Sequence, residues 1–352
     1  MRKSWIDNLR GGVVLLVVFY HVIYMYNSLG IIRNITVEGL PWMDTLLYPL
    51  YPWFMVTLFV LAGISARYAL GRTDDRSYLK SRVRRLLIPG VAPIFLIGWT
   101  SGYVTSRYAD MFGGNGAAIP GVVKYLIYSF AGIGVLWFVQ QLFVCTLVLL
   151  LIRKIDRNGK LAALGEKTGL LALVLLCVPA WGSAQILNLP VVEVHRNGIY
   201  IFYFLLGYYV FSAERVQALL KQHALWFMAA GAALCVAYTV YYHGQNFTLM
   251  ANLKSPLCNA FAWFGTLGAL SLALRYWDRE SRFTVFMRRN GFAIYALHMT
   301  LMVGLAFGVD QLTHLRGFAL YPVLAALEAL CLPALIWLVR RIPVLRRLIL
   351  GE

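Results

Sequence analysis

An arginine and a histidine stand eleven residues apart in the first apolar stretch of the chain. The order is Asp7-Asn8-Leu9-Arg10, ten mostly apolar residues, then His21. Eleven residues is close to three α-helical turns, so Arg10 and His21 fall on one helix face, about 16 Å apart along the axis. That spacing puts a guanidinium at one membrane surface and an imidazole near the midplane, where an ionisable group is costly and marks a functional site. A neutral imidazole there can take a proton from a hydroxyl, the general-base role. Arg10 either snorkels to headgroups as an anchor or holds a phosphate or thioester. Asp7, three residues earlier, is placed to pair with it, and Tyr24 continues the histidine face on the outer side.

Other spans hold further polar candidates. Arg67 lies inside the end of an apolar segment, so its charge needs a partner; it opens a basic run with Arg72, Arg76, Lys80, Arg82, Arg84 and Arg85. These side chains suit lipid headgroups or the phosphates of a coenzyme A head. His298 has Tyr295 one turn before it, as a buried Tyr–His pair or as a second polar group in a reaction chamber. Glu328 is the one acid clearly interior to a span; it must be protonated or paired, with a histidine or an arginine as the partner it would orient. Trp137 and Gln140, near Gly134, form either an interfacial aromatic belt or a sugar-stacking ledge.

The elements that must position these groups follow from composition. Of 352 residues, 60% are hydrophobic and 13% charged, and mean hydropathy is +0.68. This composition predicts an all-α polytopic membrane protein. About ten spans are expected: 9–31, 46–70, 86–105, 132–153, 169–187, 198–213, 224–242, 257–275, 291–309 and 320–339. Both termini are then cytoplasmic, and residues 1–352 form a single transmembrane domain with no separate soluble one. The first span is read as retained rather than cleaved.

The net charge of +17 does not point to nucleic acid. With the N-terminus inside, only Arg33, Arg107, Lys124, Arg196, Lys254 and Arg316 fall outside, the positive-inside distribution. Residues 106–121 read as a Gly-rich outer loop, 122–130 as a short interfacial helix, and the Arg-rich tail as an inner interfacial segment. The five cysteines lie in or beside spans without metal-ligand spacing, so no metal is expected.

These motifs resemble the acyltransferase-3 family of integral membrane acyltransferases. The likeness rests on Arg10 to His21, on Phe59-Val60-Leu61-Ala62-Gly63-Ile64-Ser65, on the basic run before Leu86-Leu87-Ile88-Pro89, on Leu136-Trp137-Phe138, and on Ile294 to His298. The resemblance implies transfer of an acyl group, acetyl or succinyl, from cytoplasmic acyl-CoA (acetyl-CoA foremost) to a hydroxyl. The acceptor would be a glycan, a lipid-linked sugar or a secondary metabolite, and the setting a bacterial inner membrane. His21, Arg10 and Asp7 would be the catalytic group. Arg10, Arg67, Arg72, Arg82 and Arg85 would hold the donor; Tyr24, Trp137, Gln140, His298, Tyr295 and Glu328 would line the acceptor side. Position 62 is Ala where many members have Ser, so no catalytic serine belongs there. The alternative is a proton-coupled transporter or flippase of a sugar-containing substrate, with His21, His298 and Glu328 as a relay.

Overall fold

A computed structural model describes residues 3–189 and 196–352. The protein is 78% helical, without strands among the described residues, and it is an integral membrane protein. Among the described residues eight helices are long and apolar enough to cross a bilayer: α1 (Ser4–Tyr24), α2 (Pro41–Leu70), α3 (Asp75–Tyr108), α4 (Gly134–Ile155), α5 (Ala224–Tyr242), α6 (Pro256–Tyr276), α7 (Arg282–Thr313) and α8 (Gly317–Arg341). The other two expected spans differ from the reading. Leu170–Ser183 follows Lys160–Glu166 at a bend of 111°, and Asn197–Phe211 is apolar but shorter than a full crossing. Residues 106–121 do contain an irregular connection, and Gly121–Ala131 is the short helix expected at 122–130.

The first helix ends earlier than its apolar run. α1 stops at Tyr24, so His21 lies in its last turn rather than midway along a helix reaching residue 31. Asn27 explains the stop. Its Nδ2 donates to Tyr24 O at 2.8 Å, capping a helix-end carbonyl, and its Oδ1 accepts from Ile31 N at 3.2 Å. Gly30 then takes φ +70°. The irregular chain beyond is buried at Tyr26, Asn27, Ile31 and Ile35, and irregular backbone at membrane depth survives only when protein covers it in this way.

Two compact units divide the chain: Met1–Val13, Tyr48–Arg82 and Gln141–Arg289 make the first, and Val14–Leu47, Val83–Gln140 and Asn290–Glu352 the second. In the first, α5 packs along α6, and Trp263 donates from Nε1 to Leu173 O at 3.0 Å. α2 crosses Asn197–Phe211 at two glycines. A Cβ on Gly63 would overlap Phe204 O, and one on Gly207 would overlap Val60 O. Such close backbone approach is how small residues pack membrane helices. It gives Gly63 a packing reason within its motif.

In the second unit, α3 carries Pro89 and Pro93 and loosens into π turns at Val83–Leu87 and Ile94–Gly98. Proline cannot donate to the turn before it, so freed carbonyls need other partners. Between the two prolines, Gly90 O accepts from Gln140 Nε2 at 2.8 Å, a side-chain tie to the loosened segment.

Candidate active site

His21 and His298 meet in the second unit. His298 Nε2 lies 3.3 Å from His21 Nδ1, with ring centroids 5.1 Å apart. Backbone carbonyls assign the ring protons. His298 Nδ1 faces Tyr295 O at 2.8 Å and Ile294 O at 3.2 Å, and His21 Nδ1 faces Val17 O at 2.8 Å. A carbonyl only accepts, so with both rings neutral each Nδ1 carries the hydrogen and each Nε2 a lone pair. His298 Nε2 then accepts a second share of the His21 Nδ1–H, and His21 Nε2 is left as the basic nitrogen. His298 is fully buried, while His21 is half-buried.

Aromatic rings frame the pair. Tyr20 stands edge-on to His21 at 5.3 Å and stacks on Tyr24 at 5.7 Å. Tyr24 also meets His21 edge-on, and its hydroxyl donates to Ile32 O. Tyr295 does not bond to His298 through its hydroxyl, which donates to Val135 O instead. Its ring meets Phe138, and Phe138 meets Trp137. The Leu136-Trp137-Phe138 motif is thereby tied to α7 beside His298.

Arg10 belongs to the first unit, where Asn8 fixes the start of α1. Asn8 Nδ2 donates to Trp277 O and Arg279 O at 2.6 and 2.8 Å, and its Oδ1 accepts from Thr284 Oγ1 at 2.5 Å. Arg10 Nη2 donates to Ser65 Oγ at 2.7 Å, and Nη1 lies 3.5 Å from Asp7 Oδ1. Ser65 Oγ in turn donates to Leu61 O at 2.7 Å. Asp7 is thus a partner of Arg10 at the first turn of α1.

The acyltransferase-3 family model, described as an acyltransferase domain, matches residues 3–340. The chain belongs to this family. It is a membrane acyltransferase, and no curated protein or solved structure matches it.

The remaining expected site residues of the acyltransferase separate into engaged and open ones. Arg67 finds its partner in a ring, 5.3 Å above Tyr208. Tyr208 also accepts from Arg153 Nη1 at 2.5 Å, and Arg153 pairs with Asp75 at 2.9 Å. Arg82 lies 4.7 Å over Tyr78, with its Nε buried and unbonded. Arg72 and Arg85 are exposed. Gln140 is drawn to Gly90 O, which gives it a backbone-supporting task. Glu328 is 2% exposed, and neither carboxyl oxygen has a hydrogen-bond partner among the described residues. It therefore orients neither a histidine nor an arginine here.

Ser65, Tyr20 and Arg153 were not singled out by sequence reasoning. Ser65 was legible as the end of the Phe59–Ser65 motif, one turn beyond Ala62. Tyr20 had a local signal, one turn before Tyr24 on the same helix, whereas Arg153 carried none, since its partners Asp75 and Tyr208 are distant in sequence.

Proposed function

We propose that this acyltransferase moves an acetyl or succinyl group from cytoplasmic acyl-CoA to a hydroxyl of a glycan, lipid-linked sugar or secondary metabolite, with His21 as general base. The imidazole pair supports this reading best. Carbonyl partners at both Nδ1 atoms leave His21 Nε2 with a lone pair to receive a proton. In the reaction, Nε2 takes the hydroxyl proton while the oxygen bonds to the thioester carbonyl carbon. The tetrahedral intermediate collapses, the carbon–sulfur bond breaks, and the departing sulfur recovers the proton from Nε2. No covalent enzyme intermediate is needed.

Arg10, oriented by Ser65 and Asp7, contributes a charge for the donor three turns before the base. Arg67, Arg72, Arg82 and Arg85 are the other donor-phosphate candidates, because guanidinium forks match phosphate oxygens. Tyr24, Tyr295, Trp137 and His298 would border the acceptor, with Gln140 and Glu328 more remote candidates. The positive-inside charge distribution supports cytoplasmic termini; a single transmembrane domain in a bacterial inner membrane completes the reading.

The test uses the whole protein in nanodiscs, labelled acetyl-CoA or succinyl-CoA, and a cell-envelope extract. Label should pass to a glycan or lipid fraction with matching release of CoA thiol. His21→Ala should reduce transfer by about 100-fold or more, with an unchanged melting profile. Undiminished transfer by that variant would refute the assignment.

A further inference from the structure

Beyond α8 the backbone turns extended at Ile342, and Pro343–Leu345 leads into the π turn Arg346–Leu350. The tail is docked. Ile349 and Leu350 are buried, and Gly351 adopts φ 66°. A Cβ on Gly351 would lie 2.8 Å from Arg84 O and 3.0 Å from Arg85 Cα, so only glycine lets the tail press on Val83–Leu87. That contact brings together arginines far apart in sequence. Arg84, Arg346 and Arg347 line one cavity of about 540 Å³, with Ile88, Leu348 and Glu352.

The charges in this cavity do not cancel. Among the described residues no carboxylate pairs with Arg84, Arg346 or Arg347. The one acid in the lining, Glu352, is gripped by Arg340 at 3.0 and 3.3 Å. Three guanidiniums therefore face a space with no net anion to answer them. The walls also expose apolar surface. Ile88 is exposed within the cavity, and Trp337, Ile342 and Val344 are exposed along the same end of the chain. Cationic forks beside an apolar skin match an amphiphile with a phosphate head and hydrocarbon below it.

We propose that this cavity is a specific site for the phosphate headgroup of an anionic phospholipid. The guanidiniums take the phosphate oxygens, and Ile88 and Leu348 meet the glycerol and upper acyl chain. A zwitterionic choline lipid would bring its own cation among the arginines and bind less well. The inference depends on the membrane setting, not on the transfer reaction proposed above.

Native mass spectrometry of the full chain, equilibrated with mixed phosphatidylglycerol and phosphatidylcholine, tests it. The wild type should retain phosphatidylglycerol preferentially. Each basic charge is worth on the order of a fivefold preference. Arg84→Gln should lower the preference about fivefold, and the double variant Arg346→Gln/Arg347→Gln roughly 25-fold. Arg341→Gln is the control, because Arg341 is exposed but stacks on Trp337 at 4.9 Å and does not line the cavity; it should leave the preference unchanged. Equal retention by wild type and the cavity variants would overturn the proposal, as would an equal loss in Arg341→Gln. Displacement of the lipid by micromolar pyrophosphate would also overturn it, in favour of a soluble phosphate.

Discussion

If His21 Nε2 is the base, then His298 has a measurable share in catalysis without touching the reacting atoms. When His21 becomes an imidazolium, its Nδ1–H carries positive charge toward His298 Nε2 at 3.3 Å. Hydrogen bonds to charged groups are worth about 1.5–3 kcal/mol, and a length of 3.3 Å argues for the lower end. About 1.4 kcal/mol is tenfold in rate, so removing this acceptor should slow transfer roughly tenfold, against about 100-fold or more for loss of the base itself. Two substitutions separate acceptor from bulk. His298→Gln puts an amide oxygen near the place of Nε2, whereas His298→Asn puts an amide nitrogen near Nδ1 and leaves nothing at Nε2. We expect Gln to retain most activity and Asn to lose about tenfold in kcat, with little change in KM for the acyl-CoA. The assay is thiol release coupled to acyl transfer in nanodiscs. In the double variant His21→Ala/His298→Asn, the second change should cost almost nothing, because the charge it answers never forms. Equal activity of Gln and Asn, or a double variant whose loss is the product of the single losses, would refute the coupling.

Two further outcomes follow from the other unit. Ser65→Ala removes the 2.7 Å bond that orients Arg10 and should raise KM for acyl-CoA about three- to tenfold while sparing kcat; Arg10→Lys, which loses the fork, should raise it more, and unchanged donor titrations in both would remove Arg10 from donor binding. Gly63→Val forces a branched side chain onto the Phe204 carbonyl and should destabilise the protein by about 3 kcal/mol or more, seen as a lower melting temperature in detergent, whereas a melt equal to wild type would show that α2 can shift away.

Local periodicity carried most of the fold into the sequence. Ala224–Tyr242 occupies the residues expected of it, and Pro256–Tyr276 differs by one at each end, because uninterrupted apolar runs leave a helix little choice of register. Asp7 and Arg10 were legible as a pair for the same reason, three residues apart on one helix. One failure sits where a single polar side chain overrides hydropathy. Residues 25–31 are apolar enough to extend α1, but Asn27 caps Tyr24 O and ends it. The other failure is the run at 169–187, which is far more apolar yet joins Lys160–Glu166 through a sharp bend. The histidine pair was beyond reach, since 277 residues separate its members and spacing informs only about neighbours on one helix.

The partner of His21 also explains what the orphaned acid does not do. In many enzymes a carboxylate sets the tautomer of a catalytic histidine, and Glu328 was the residue to nominate. Here each Nδ1–H is held by carbonyls of its own helix, three or four residues back: Val17 for His21, and Ile294 and Tyr295 for His298. A carbonyl cannot gain or lose a proton over any working pH, so the tautomer does not titrate away as it would with an acid beside it. It also brings no negative charge to hold the imidazolium after proton transfer, so that stabilisation falls to two neutral acceptors, the Val17 carbonyl at 2.8 Å and the His298 lone pair at 3.3 Å. The pairing therefore gives His298 its energetic weight: with no carboxylate at His21, the second imidazole adds a side-chain acceptor to the Val17 carbonyl in answering the developing charge.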